Sequence, residues 1–121
     1  MDTTSILFSA CVLLGLAAAG GIVMALIRVG GKNNPPHWIA MLHGLIAAAG
    51  LTLLAYVSIF AEVPTFAQIG LLLLLLAAAG GAWLNLGYHQ KNALIPQGIM
   101  IGHALAAVAG FVLLAMAVFA P

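Results

Sequence analysis

The placement of its five charged side chains constrains this 121-residue chain more than any other feature. Residues 3–27, 38–61, 63–90 and 92–121 contain no Asp, Glu, Lys or Arg. A helix rises 1.5 Å per residue, so about 20 largely apolar residues cross a hydrocarbon layer of about 30 Å. Each stretch is long enough for one crossing and too short for two. We place helices near 5–29, 37–60, 66–89 and 97–119. Backbone groups facing lipid must be satisfied within their own segment, which makes such stretches helical. A β-barrel needs alternating polarity, and the run Leu71 to Leu76 excludes it.

Composition agrees. Soluble domains carry about 25% charged residues; this chain carries 4%, with 65% hydrophobic residues. The expectation is a single transmembrane domain over 1–121 with the lipid bilayer as its main partner. The start, Met1-Asp2-Thr3-Thr4-Ser5, lacks the positive segment of a signal peptide, so the first helix is expected in the mature fold. The one cysteine, Cys11, makes no intrachain disulfide and is expected as a small buried apolar residue.

The charges also give an orientation. Arg28, Lys32 and Lys91 fall at the turns joining helix 1 to 2 and helix 3 to 4, whereas Asp2 and Glu62 fall at the opposite end. The positive-inside rule then puts both turns in the cytoplasm and both termini outside an inner (cytoplasmic) membrane. Trp38, Tyr56, Trp83 and Tyr88 lie toward helix ends, as interfacial aromatics do. Gly30-Gly31 and Asn33-Asn34-Pro35-Pro36 break the first turn, Pro96 opens helix 4, and Thr65 to Gln68 reads as a capping box for helix 3.

The chain repeats itself. Ala17-Ala18-Ala19-Gly20-Gly21 recurs as Ala77-Ala78-Ala79-Gly80-Gly81, an offset of 60 (77 − 17). At that offset Pro36, Ile39, His43 and Gly50 match Pro96, Ile99, His103 and Gly110 without a gap. Repeat 1 runs over about 5–60 and repeat 2 over about 66–119. Each holds two crossings, so the repeats are parallel, related by a pseudo-two-fold axis along the membrane normal. The fold expected is all-α: an integral membrane four-helix bundle of two tandem parallel hairpin repeats, with helices 2 and 4 facing each other. The pairs Ala17/Gly21 and Ala77/Gly81 are small-xxx-small patterns, read as sites of close helix approach.

His43 and His103 each lie six residues into their helix, which is about 9 Å of rise and roughly a third of the way into the hydrocarbon. Ionisable residues at that depth point to function. On the same helical face follow Ala47, Gly50 and Leu54, and likewise Ala107, Gly110 and Leu114. A histidine followed by small residues leaves a flat gap that admits a planar macrocycle, with one imidazole on each side of a metal.

This arrangement resembles the haem-binding core of the membrane b-type cytochromes, in which parallel bundle helices supply paired axial histidines and glycines make room for the macrocycle. The resemblance covers the stripes of helices 2 and 4. It departs from the di-haem members, which need four such histidines, so it supports one haem b. It implies His43 and His103 as the metal ligands and Ala47, Gly50, Ala107 and Gly110 as the slot. Arg28, with Lys32, Lys91 and Trp38, is expected to receive propionates, and Asn85 and Tyr88 to orient an imidazole or a propionate. Two protein ligands close both axial positions, which favours electron transfer over oxygen binding. A chlorin or a quinone is the alternative occupant, and a polar contact between helices the plainest role for the histidines. His37 and His89, at the turn edges, are expected in interfacial, solvated positions.

The function expected is a small membrane cytochrome subunit, passing electrons between a quinone pool and a partner oxidoreductase within a larger membrane complex. The alternative is a non-catalytic structural or assembly subunit. A transporter is disfavoured, because no carboxylate or arginine lies at mid-membrane. No Ser–His–acid set, HExxH helix or phosphate loop is present, and three basic residues make no nucleic-acid surface.

Overall fold

The computed structural model describes residues 1–120. Four helices account for most of them: α1 (Thr3–Gly30), α2 (His37–Phe60), α3 (Thr65–Gly87) and α4 (Gln97–Phe119), with a 3-10 turn at His89–Lys91. All four are long and apolar enough to cross a membrane, and no strand occurs among the described residues.

Local chemistry sets the ends. Asp2 caps α1, its Oδ1 accepting from the Ser5 amide at 2.7 Å. That bond holds the Asp2 carboxyl below the usual carboxylate range. Gly31, with extended backbone, stops α1. Pro36, Pro64 and Pro96 stand immediately before the other three helices. The capping box expected at Thr65–Gln68 does not form: Thr65 is already inside α3, and the Pro64 carbonyl accepts from the amides of Ala67 and Gln68. Helix α3 also ends earlier than expected. The chain leaves it at Tyr88, makes the 3-10 turn and passes through Asn92, whose φ of 56° is a left-handed conformation that asparagine tolerates.

The helices form an up-down-up-down bundle. Each hairpin packs on itself, α1 on α2 and α3 on α4; α1 also meets α4 and α2 meets α3, which leaves α2 diagonal to α4. The end that holds the termini is closely packed. Leu7, Leu14, Leu54, Val57, Leu74 and Leu114 are buried there with Ala10, Cys11 and Ala67. Two crossings are tight enough to require glycine. A Cβ on Gly50 would lie 3.2 Å from the Ala10 carbonyl oxygen and 2.8 Å from Leu14 Cγ; a Cβ on Gly110 would lie 3.0 Å from the Gly70 carbonyl oxygen and 2.8 Å from Leu74 Cγ. Outward, every helix presents large apolar side chains, such as Leu26, Leu45, Leu72 and Leu105, each about two-thirds exposed.

The turn end is held by polar contacts instead. Asn34 donates to the Ala93 carbonyl at 2.7 Å and accepts from the Ile95 amide at 2.9 Å. Arg28 is buried, and its Nε donates to the Ile95 carbonyl at 2.8 Å. These contacts tie the first turn to the second across more than fifty residues of chain. Between this clasp and the close-packed end, the bundle opens.

Candidate functional site

The opening is a cavity of about 510 Å³, lined from all four helices and both turns. About half of its lining residues are alanine or glycine, among them Ala17, Gly21, Ala47, Ala77, Gly81 and Ala107. Larger side chains, among them Met24, Leu84, Ile95 and Met100, complete the lining.

His43 and His103 line this cavity. Nδ1 of His43 lies 2.7 Å from the Ala17 carbonyl oxygen, and Nδ1 of His103 lies 2.7 Å from the Ala77 carbonyl oxygen. A carbonyl only accepts, so Nδ1 must carry the hydrogen and donate it. In a neutral imidazole that leaves Nε2 with its lone pair, and Nε2 has no hydrogen-bond partner in either ring among the described residues. The ring centroids are 6.3 Å apart and the planes cross at 79°. No third His, Cys, Asp or Glu joins the pair among the described residues.

Each imidazole rests on a glycine. A Cβ on Gly21 would come within 3.1 Å of His43 Cε1, and one on Gly81 within 2.9 Å of His103 Cε1. The sequence suggested that these small-residue pairs let helices approach; in the structure they also seat a ring. The same contacts occur in both hairpins, at matching positions.

Of the residues singled out in the sequence, His43, His103, Ala47, Ala107, Arg28 and Asn85 border the cavity. Gly50 and Gly110 do not; they are consumed in the α1–α2 and α3–α4 crossings. At these glycines the helix meets the other helix of the same hairpin, whereas His43, Ala47, His103 and Ala107 on the same stripes reach the centre. Tyr88 lies at the end of α3, outside the cavity lining. Arg28 uses Nε on Ile95 and one amino group, at 3.5 Å, on the Gly31 carbonyl, which leaves the other amino group without a protein partner among the described residues. Lys32, Lys91 and Trp38 are exposed at the turn end.

His89 differs from expectation. It is 3% exposed, donates from Nε2 to the Pro35 carbonyl at 2.8 Å and stacks on His37 with centroids 4.2 Å apart. The 3-10 turn folds it inward, where it closes the cavity's turn end. His37 stays exposed, its Nε2 3.4 Å from Asn92 Oδ1. The residues missed from the sequence are the acceptors Ala17 and Ala77 and the bridging Asn34. The first two carried a signal, since their spacing to His43 and His103 is 26 residues in both hairpins. No family model, curated protein or solved structure matches the chain.

Proposed function

We propose that the chain is a membrane-embedded b-type cytochrome subunit, holding one haem between His43 and His103 and passing electrons between a quinone pool and a partner in a larger complex. The observation that carries this is the pair of imidazoles. Both donate from Nδ1 to a helix carbonyl, both leave Nε2 as a bare lone pair, and both border one cavity. Metal-bound histidines almost always place the other ring nitrogen on such an acceptor. A metal–imidazole bond is about 2 Å, so two rings sharing one ion would hold their centres up to roughly 6 Å apart. The separation of 6.3 Å is of that size.

The remaining residues fit the group as well. The alanine and glycine walls leave width for a macrocycle, the cavity volume is typical of small-molecule sites, and Arg28 and Asn85 are the candidates to hold its carboxylates. A haem held by His43 and His103 would supply a one-electron couple. The chain's part is to orient two rings and to exclude water with Leu14, Leu51 and Leu74 at the closed end of the cavity.

The same reading takes the chain as two parallel tandem hairpins in the membrane, with both turns on the cytoplasmic side. Its support is the recurrence of the His–carbonyl–glycine contact in each hairpin and the grouping of Arg28, Lys32 and Lys91 at one end. The test is a reduced-minus-oxidised spectrum of detergent-purified protein, expressed with haem supplied. A b-type band is expected, and its loss in His43→Ala and in His103→Ala. A folded, colourless wild-type preparation refutes the haem. Labelling of single cysteines at Lys32 and Glu62, in a Cys11→Ala background, should come from opposite faces of the membrane; labelling from one face refutes the topology.

A further inference from the structure

We infer that Gly21 and Gly81 are positioning residues for the two histidines. With the carbonyls of Ala17 and Ala77, they set which nitrogen each ring presents and the angle between the ring planes. The inference deepens the haem reading and rests on it for the spectroscopic half of its test.

The Cα–Cβ bond of a helical residue tilts toward the N-terminus, so each side chain covers the turn before its own Cα. The side chain at position 21 would therefore lie over the carbonyl of residue 17, one turn earlier. That carbonyl already accepts its helical hydrogen bond, but it has a second lone pair. With glycine at position 21, the second lone pair is open to a neighbouring helix, and His43 of α2 fills the opening. The arrangement recurs at Gly81, Ala77 and His103 of α4. Both contacts lie near the lower limit for real Cβ atoms: 3.1 Å to His43 Cε1 and 2.9 Å to His103 Cε1.

The preceding glycines supply an internal control. A Cβ on Gly20 would meet only His43 Cβ, at 3.8 Å, and one on Gly80 would meet His103 Cβ at 3.7 Å and Nδ1 at 3.8 Å, all ordinary contact. Within each Gly-Gly pair, only the second member lies so close that a Cβ would press on the ring. Because each ring is held by its own hairpin, the two planes cannot turn together, and their crossing of 79° is a property of the bundle. On one ferric low-spin iron, near-perpendicular imidazole planes leave the two π-type d orbitals almost equal in energy. The electron paramagnetic resonance signal is then strongly anisotropic, with an isolated low-field feature. Parallel planes split those orbitals and give a rhombic signal.

The experiment has two arms, both on the full chain in detergent. The first uses 15N-histidine NMR of protein purified without added haem. His43 and His103 are expected in the Nδ1–H form, and Gly81→Ala but not Gly80→Ala is expected to shift the His103 ring nitrogens. The second uses electron paramagnetic resonance after loading with hemin. The wild type should show the isolated low-field feature; Gly81→Ala should move it at unchanged haem stoichiometry, and Gly80→Ala should not. Gly21→Ala, with the milder contact, replaces Gly81→Ala if the latter does not fold. An Nε2–H form of both rings, a rhombic wild-type signal, or equal behaviour of the Gly80 and Gly81 variants overturns the inference. Failure to take up hemin would remove the haem reading alone, and the NMR arm would then decide the positioning role.

Discussion

Gly110→Ala distinguishes a glycine that makes room for a cofactor from one that lets two helices touch. In the structure, the added Cβ would lie 2.8 Å from Leu74 Cγ, 3.0 Å from the Gly70 carbonyl oxygen and 3.1 Å from the Leu74 amide nitrogen. The leucine end can swing to another rotamer. The two backbone atoms cannot, so α3 and α4 must separate where they are most closely packed. Overpacking of this kind costs about 1–3 kcal/mol, and backbone neighbours put it at the upper part of that range, about 2–3 kcal/mol. Alanine in place of glycine in a helix returns about 1 kcal/mol. The net loss is about 1–2 kcal/mol, or about tenfold in the folded-to-unfolded ratio. Gly102→Ala is the counterpart: a Cβ there meets nothing within 4 Å, so the variant keeps the gain of about 0.5–1 kcal/mol. The assay is unfolding in mixed SDS micelles followed by circular dichroism, with haem measured per folded chain. Gly110→Ala should unfold earlier than wild type and Gly102→Ala later, both with unchanged haem per folded molecule. A Gly110→Ala protein that is as stable as Gly102→Ala refutes the reasoning. One that is stable yet empty of haem would restore the glycine to the cofactor slot.

Two further outcomes follow from the ends of the bundle. Asn34→Ala removes both contacts to the second turn, to the Ala93 carbonyl and from the Ile95 amide; at about 1 kcal/mol each, a loss of about 2 kcal/mol is expected in the same unfolding assay, and no loss would mean the turns are held elsewhere. Asp2 supplies the pH dependence. Its folded carboxyl titrates below the unfolded one, so its capping contribution is complete at neutral pH and disappears as pH falls through the depressed value. An NMR titration should place the Asp2 midpoint below that of the same residue in an unstructured peptide, and equal midpoints would contradict the cap.

How much of this was legible in the sequence follows from what a letter encodes. The bounds of α2 and α4 match expectation because Pro36 and Pro96 lack the amide that would extend each helix backward, and the charge-free stretches coincide with the four helices long and apolar enough to cross a membrane. The placement of α2 and α4 across the bundle from each other was legible, and so was the approach of His43 to His103. The direction of each ring was not legible. A stripe at helical spacing gives a face but not which neighbour that face meets. The stripe through His43, Ala47 and Gly50 turns partly toward α1, so Gly50 is spent on the crossing while His43 and Ala47 border the cavity. Backbone acceptors are equally hidden, because the Ala17 and Ala77 carbonyls look in sequence like any other. The burial of His89 depends on the left-handed turn at Asn92, which no periodicity announces.

The cavity needs an explanation in its own right, because an apolar bundle gains by closing on any space it holds. Two features oppose closure. The first is a change in side-chain size along the inner faces. Leu7, Leu14, Leu54, Leu74 and Leu114 fill one half, whereas Ala17, Gly21, Ala77 and Gly81 in the other cannot reach one another across the same interhelical distance. The second is the polar clasp at the far end. Asn34, Arg28 and His89 fix the separation of the two turns through four hydrogen bonds to carbonyls and an amide: Ala93, Ile95 (twice) and Pro35. Helices held at their spacing by leucines at one end and by hydrogen bonds at the other stay apart in between, and the histidines are placed on that intervening length. The clasp is therefore part of the site as well as of the fold. On this reasoning Asn34→Ala should weaken hemin binding although Asn34 does not border the cavity, whereas Leu105→Ala, a change on the outer face, should not. Equal hemin affinity in the two variants would mean that alanine and glycine alone keep the space open.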